Sequence, residues 1–188
     1  ACAHFARIGA PMPLRHLANS GGVLHFPATW LDLVRPGIAL YGVLPDPAAQ
    51  PPVPLRPALS LVSRVVYFKV VAAGHPVSYG GTWTPTQATR IATVPIGYGD
   101  GYPRALSSLG DVLVRGHRRR IAGRVCMDQF MVDLGPEGTA YNEDEVVLIG
   151  RQGAHAISAE EVALAAGTIP YEILTGLNER IPREYLGG

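Results

Sequence analysis

A tyrosine lies in a glycine-rich turn, Val77-Ser78-Tyr79-Gly80-Gly81-Thr82, which follows an apolar segment. Glycines in such a turn leave the backbone free to bend and let another surface approach closely. The turn can therefore present the phenol of Tyr79 to a ligand or to another subunit. The tip of a β-hairpin is the alternative role for a tyrosine in this setting.

The opening block carries groups that suit an anion. Ser20 and Gly37 lie in two separate turns, where backbone N–H groups and a serine hydroxyl can bind a phosphate, or where the residues simply make a turn. Arg35 precedes an apolar segment and is a permanently protonated donor for a ligand nitrogen or carboxylate, or one half of a structural ion pair. His16 could orient Arg35 or serve as a structural histidine.

Two further segments could line a site. The first, 97–104, contains two tyrosines and Arg104 in a glycine-rich loop, which is typical of binding loops and of solvated turns alike. The second, 123–128, ends a strand and carries Cys126, for which a buried packing role is favoured over a reactive thiol. The histidines and cysteines show no metal-ligand spacing, and there is no G-x-S-x-G motif and no phosphate-binding P-loop.

Composition limits the classes of function. The 188 residues are 47% hydrophobic and 16% charged, which is typical of a globular protein. The net charge of +1 gives no general attraction to nucleic acid or to a membrane surface. No apolar run reaches the roughly 20 residues that span a bilayer, and no signal peptide is recognisable. The two cysteines are too few for a disulfide framework, so we expect a cytoplasmic protein.

The elements that must position these groups fall into two blocks. In the first, we predict a turn at 19–22, a helix over 29–34 capped by Thr29, and a buried strand at 38–41. Six prolines between residues 45 and 57 disfavour regular pairing and predict a linker. The predicted domains are therefore 1–44, a Pro-rich linker 45–57, and 58–188.

The second block predicts a mostly β domain, either a barrel or a sandwich. The expected strands are 59–71, 89–95, 111–114, 119–125, 130–134, 145–149 and 180–185. Ser158 followed by Glu161 is a capping-box pattern that predicts a helix to Ala166, and a short helix is expected from Tyr171.

Taken in order, these segments resemble the alanine racemases, a family of enzymes that use pyridoxal 5′-phosphate. The similarity runs over nearly the whole chain, and the ordered set is far more specific than any single motif. The motifs are His16-Leu17-Ala18-Asn19-Ser20, Arg35-Pro36-Gly37-Ile38, Leu40-Tyr41-Gly42, Val77-Ser78-Tyr79-Gly80, Gly97-Tyr98 through Arg104, Gly123-Arg124-Val125-Cys126-Met127-Asp128, Ile169-Pro170-Tyr171-Glu172 and Arg180-Ile181-Pro182-Arg183.

The resemblance implies the last elements of an N-terminal (β/α)8 barrel followed by a complete β domain. It also implies the roles of the cofactor site. Ser20, Gly37, Ile38 and Tyr171 would hold the cofactor phosphate, and Arg35 would hydrogen-bond the pyridine nitrogen with support from His16. Because arginine does not release its proton, the ring nitrogen would stay unprotonated, which should favour simple reprotonation over decarboxylation or transamination.

The resemblance further implies the groups around the substrate. Tyr79 would be one of two bases, acting in the partner subunit's active site, and a tyrosine can do this only if its pKa is lowered towards the working pH. Met127 would offer its backbone near the substrate carboxylate. The remaining residues implied near the substrate entrance are Tyr98, Arg104, Arg124, Ile169 and Asp128.

One part of the family pattern is missing. The second base is a lysine that also carries the cofactor as a Schiff base, and the only lysine here, Lys69, lies in the β block. We therefore expect a C-terminal fragment that is inactive alone, from a homodimer that supplies D-alanine for peptidoglycan. The alternatives are a broad-specificity amino-acid racemase of the same fold and a non-catalytic dimerisation or binding module. A related decarboxylase is disfavoured, because such enzymes usually face the pyridine nitrogen with a carboxylate.

Overall fold

The computed structural model describes residues 2–46, 48 and 50–187, so that Ala1, Pro47, Ala49 and Gly188 of the predicted domains and linker lie outside the described residues. The chain divides into two compact units, Ala1–Ala58 and Leu59–Gly188. The division falls at the end of the proline-rich segment. Within the described ranges, no helix combines the length and the apolar character needed to cross a membrane.

The first unit contains short helices joined by extended chain. They are α1 (Cys2–Arg7), α2 (Ser20–His25), and 3-10 turns at Pro27–Thr29 and Ile38–Tyr41. Asn19 caps α2, because its side chain accepts the Gly22 N–H at 3.0 Å. The expected turn at 19–22 is therefore the cap and first turn of a helix.

Two other expectations for this unit were wrong. The segment 29–34 is not a helix, because Asp32 is held by Arg15 through a 2.8 Å ion pair and Leu33 pairs with His16 in an isolated parallel bridge. The segment Ile38–Tyr41 is a 3-10 turn and not a strand, and within it only Ile38 is buried. It ends at Gly42, where φ is +71° and a Cβ would meet the Arg56 carbonyl oxygen at 1.8 Å.

The second unit is mostly β, as expected. Its strands are β1 (Leu61–Arg64), β2 (Tyr67–Val71), β3 (Thr89–Val94), β4 (Asp111–Val114), β5 (His117–Arg120), β6 (Phe130–Gly135), β7 (Glu145–Gln152) and β8 (His155–Ile157). One antiparallel sheet has the order β1-β7-β4-β5, with β8 added to β7. A second antiparallel sheet has the order β2-β3-β6.

Side-chain alternation explains how these sheets form a core. In β6 every second residue is buried, which is the period of a strand with one face inward. The central strand β7 has four consecutive buried residues, 146–149, as expected for a strand covered on both faces. Tyr102 stacks on Phe130 with ring centroids 5.4 Å apart, and both side chains are essentially inaccessible to solvent.

Local sequence determines the turns and helix ends of this unit. The β4–β5 hairpin closes through Arg115 and Gly116, which both have positive φ, as the twist of a two-residue hairpin loop requires. Helix α3 (Ala159–Ala166) begins after Ser158, whose Oγ accepts the Glu161 N–H at 3.1 Å, and ends at Gly167 with φ +72°. The predicted helix to Ala166 and its Ser158 cap are therefore confirmed, whereas the Glu161 carboxylate binds Arg118 and does not complete a capping box. Helix α4 is Pro170–Gly176.

Three strand predictions differ from the structure. The segment 59–71 forms two strands, because Val65 still bonds the 143–144 backbone just before β7, whereas the Val66 N–H donates to the Thr93 carbonyl of the second sheet. Pairing of 119–125 stops at Ile121, where the chain enters the loop that lines the site. The segment 180–185 is not a strand, because the Arg183 guanidinium binds the carbonyl oxygens of Leu177, Asn178 and Ile181 and folds the chain back.

Candidate functional site

A cavity of about 580 Å³ in the second unit gathers most of the predicted substrate groups. The loops 79–81, 98–104 and 124–129 supply its walls, so residues far apart in sequence meet at one place. Six of the predicted site residues line this cavity: Tyr79, Tyr98, Arg104, Arg124, Met127 and Asp128. Val125, Cys126 and Gln129 complete the lining.

Tyr79 projects from a strained turn. Its side chain is 73% exposed, and it begins a single 3-10 turn in which Gly80 and Gly81 have φ of +74° and +56°. The preceding Ser78 has φ +70° and ψ 174°, a backbone conformation that is costly for any residue with a side chain. The unusual backbone therefore sets where the Tyr79 side chain leaves the chain, and little of the protein packs around the ring.

The loop of Tyr98 lies against the backbone of the Met127 loop. The Tyr98 N–H donates to the Cys126 carbonyl at 3.0 Å, and the Gly99 N–H donates to the Met127 carbonyl at 2.7 Å. Gly97 allows this approach, because a Cβ there would lie 2.2 Å from the Cys126 oxygen. Cys126 itself is buried, and its thiol faces the Arg124 carbonyl at 3.6 Å.

A buried carboxylate holds the other side of this loop. Asp100 accepts the Gly97 N–H at 2.9 Å, and its other oxygen lies 3.4 Å from Arg180 Nε. The Asn178 N–H donates to the Asp100 carbonyl at 3.2 Å. The chain after α4 thus fixes the 97–101 loop, which in turn fixes Tyr98 at the cavity.

The electrostatics of the cavity favour an anion. Arg104 and Arg124 both line it, and within the described chain neither guanidinium donates to a protein oxygen. The Arg124 guanidinium lies beside the tyrosine turn, 3.5 Å from where a Cβ of Gly80 would be. Two uncommitted guanidiniums beside one carboxylate, Asp128, suit a ligand with a carboxylate group.

The structure does not bring Ile169 and Tyr171 to this cavity. They flank Pro170 at the start of α4 and are 59% and 38% exposed. Helix α4 instead borders a second cavity of about 290 Å³, which shares Arg104 with the first.

The predicted cofactor groups of the first unit lie between residues 16 and 38, in different local structures. Ser20 is buried at the start of α2, and its Oγ accepts the Ala39 N–H at 3.2 Å. Gly37 and Arg35 are exposed, and no atom lies within 4 Å of a Cβ placed on Gly37. The Arg35 guanidinium donates to the Leu17 carbonyl at 3.4 Å, next to His16, and support of Arg35 by His16 itself remains a prediction.

Sequence reasoning missed two serines that bond the backbone of the cavity-lining loop 124–129. Ser78 Oγ accepts the Arg124 N–H at 3.0 Å, and Ser107 Oγ accepts the Val125 N–H at 3.0 Å. Ser78 belongs to the motif Val77-Ser78-Tyr79-Gly80, but a serine in the sequence gives no sign of a positive φ, which is rare for this residue type. Ser107 carried no local signal, because its partner lies 18 residues away.

Comparisons with known proteins identify the family of the chain. Residues 58–185 match the family described as "Alanine racemase, C-terminal domain", and residues 1–45 match "Alanine racemase, N-terminal domain". The alanine racemase of Desulforamulus reducens is 49% identical over 180 residues, which are 95% of this chain and 48% of that protein.

Solved structures give the same result. The alanine racemase of Streptomyces lavendulae has a TM-score of 0.94 and 46% identity, covering 100% of this chain and 49% of that one. The Bacillus anthracis alanine racemase, solved with bound L-Ala-P, has a TM-score of 0.90 and 42% identity, covering 96% of this chain and 46% of that one. The chain spans about half the length of the curated relatives it matches. By sequence and by fold, the chain belongs to the alanine racemase family.

Proposed function

We propose that the full-length protein containing this chain interconverts L-alanine and D-alanine with pyridoxal 5′-phosphate. The observation that carries the proposal is the 580 Å³ cavity in which Tyr79 meets Arg104, Arg124 and the Met127 backbone. It joins a group that can transfer a proton to groups that can bind a carboxylate. A relative solved with bound L-Ala-P supports an alanine-like substrate.

The donor groups of the first unit fit the cofactor. Ser20 presents a buried hydroxyl at the start of a helix, and the space beside Gly37 is open enough for the backbone to approach a phosphate. Arg35 offers an exposed guanidinium that can donate to an acceptor nitrogen. Within this unit, Ile38 would complete the phosphate site, with His16 beside Arg35. When bound, the cofactor withdraws electrons from the α-carbon and makes its proton acidic.

Tyr79 moves the proton on one face of the α-carbon. Its phenolic oxygen accepts the proton from one enantiomer and returns it in the reverse direction, while a base outside this chain serves the other face. The exposed turn of Tyr79 suits a residue that acts in the active site of a second subunit, as expected for a homodimer with shared sites. The alanine product of D configuration would serve peptidoglycan synthesis in the cytoplasm.

The cavity residues hold the substrate carboxylate. Within the described residues, the Met127 N–H makes no hydrogen bond, so it can donate to a carboxylate oxygen. Arg104 and Arg124 add positive charge, and Tyr98 and Asp128 limit the size of the substrate that can enter. Orientation of the α-carbon towards the Tyr79 oxygen is the main contribution of this wall.

The test is racemisation by the purified full-length protein supplied with pyridoxal 5′-phosphate. We expect interconversion of the two alanine enantiomers, measured by chiral chromatography, and a loss of at least about 100-fold in kcat for Tyr79→Phe. Tyr185→Phe is the matched control, because that side chain is 92% exposed and lies outside the cavity. Racemisation of serine or lysine at a rate similar to that of alanine would instead indicate a broad-specificity amino-acid racemase. Absence of interconversion by the wild-type protein would contradict the proposal.

A further inference from the structure

The loop 123–126 has an unusual set of hydrogen-bond partners. It lies between the bridge at Ile121 and strand β6, outside any strand, yet Val125 and Cys126 are buried. Buried backbone N–H groups need acceptors, which a sheet would normally supply. Here the Arg124 and Val125 N–H groups donate to serine side chains from two other loops.

Ser78 joins the tyrosine turn to this loop. Its Oγ accepts the Arg124 N–H at 3.0 Å and donates to the Arg124 carbonyl at 3.2 Å. Gly123, with φ +80°, allows the contact, because a Cβ there would lie 2.5 Å from Ser78 Cβ. The two bonds hold Ser78 at its strained φ of +70°, and Tyr79 is the next residue.

Ser107 joins the arginine turn to the same loop. Its Oγ accepts the Val125 N–H at 3.0 Å and donates to the Arg104 carbonyl at 2.6 Å. Ser107 ends the single 3-10 turn 104–106. Its two hydrogen bonds therefore fix the turn from which the Arg104 side chain projects.

We propose that Ser78 and Ser107 are positioning residues that fix Tyr79 and Arg104 relative to Arg124 through one shared backbone segment. The proposal rests on the proposed function for its catalytic consequence. Each hydroxyl must accept a hydrogen bond and donate one at the same time, which alanine cannot do. Loss of Ser78 releases the proton-transfer group, whereas loss of Ser107 releases a carboxylate-binding group.

The kinetic test uses the full-length protein with pyridoxal 5′-phosphate. We expect Ser78→Ala to lower kcat about 10- to 100-fold with little change in KM, and Ser107→Ala to act mainly by raising KM for alanine several-fold. Ser108→Ala is the control, because its hydroxyl makes only a 3.4 Å contact to the Gly123 carbonyl. Ser107→Thr should restore the wild-type values, since φ is −53° there, whereas Ser78→Thr should not, since φ is +70°.

A second measurement separates this inference from the proposed function. Amide hydrogen exchange on the 188-residue chain should become about fivefold faster at Arg124 in Ser78→Ala and at Val125 in Ser107→Ala. Ser78→Gly guards against a folding defect, because glycine adopts the positive φ freely and still lacks the hydroxyl. Unchanged exchange and unchanged kcat in an active full-length protein would overturn the inference. An inactive wild-type protein with the expected exchange changes would overturn only the proposed function.

Discussion

Replacing Gly97 with alanine tests the close approach between the two loops that form the cavity. Gly97 has φ −156° and ψ −163°, which any residue adopts, so the substitution adds no backbone strain. The new Cβ would instead lie 2.2 Å from the Cys126 oxygen and 2.6 Å from the Met127 oxygen. The loops must separate by roughly 1 Å to reach an ordinary van der Waals distance.

The size of the effect follows from these contacts. Overpacking of a buried site costs about 1–3 kcal/mol. The separation also lengthens the hydrogen bonds from Tyr98 and Gly99 to the facing carbonyls, now 3.0 and 2.7 Å, and losing one costs about 1 kcal/mol. We therefore expect Gly97→Ala to lower the free energy of unfolding by about 2–4 kcal/mol.

The assay is urea unfolding of the 188-residue chain, followed by the fluorescence of Trp83 in a Trp30→Phe background so that only the second unit is reported. Gly176→Ala is the matched control, because its nearest contact would be an ordinary 3.6 Å and alanine favours the helix. It should change the free energy of unfolding by less than about 1 kcal/mol. A Gly97→Ala variant as stable as the control would refute the close approach of the loops.

Three further substitutions test the surrounding fold by urea unfolding. Tyr102→Phe should leave the free energy of unfolding unchanged or raise it, because the buried hydroxyl has no partner among the described residues. Burial raises the pKa of Tyr102, so the wild-type protein should lose stability above about pH 10 relative to the variant. Parallel plots of unfolding free energy against pH for the two proteins would contradict this. Asp144→Asn should destabilise the protein by about 1–2 kcal/mol at pH 7, because Arg115 holds the pKa of Asp144 below its usual range. The difference in stability between wild type and variant should shrink as the pH falls below about 4. A difference that stays constant with pH would count against the ion pair. Ser158→Ala should lose about 1 kcal/mol with the cap of α3, and an unchanged midpoint would show that the cap is dispensable.

The strands that sequence predicts well are those with an alternating or continuous apolar pattern, such as β4 and β6. Strand β5 began outside the predicted range, because His117 and the three arginines after it show no apolar period. Its pairing is provided by the two-residue turn before it and by its neighbour β4. The helix expected from Thr29 failed for a tertiary reason, the Arg15–Asp32 ion pair, which no local propensity reveals.

In the candidate site too, some residues can be predicted from local sequence and others only from the fold. Tyr79 and Arg104 could be named from their motifs, because the residue types and their order are informative. Their relation in space depends on Ser78 and Ser107, whose hydrogen bonds cross 46 and 18 residues. Such contacts follow from the fold and not from local pattern.

The measurement that tests the central claim most directly is solvent deuterium incorporation at the α-carbon of alanine by the full-length protein with pyridoxal 5′-phosphate. If Tyr79 is the base for one face, the wild-type protein should incorporate deuterium while inverting both enantiomers. Tyr79→Phe should then still exchange the α-proton of one enantiomer for deuterium without inverting it. Inversion of the enantiomers by this variant should be at least about 100-fold slower than in the wild-type protein. Inversion of both enantiomers at the wild-type rate by Tyr79→Phe would contradict the account.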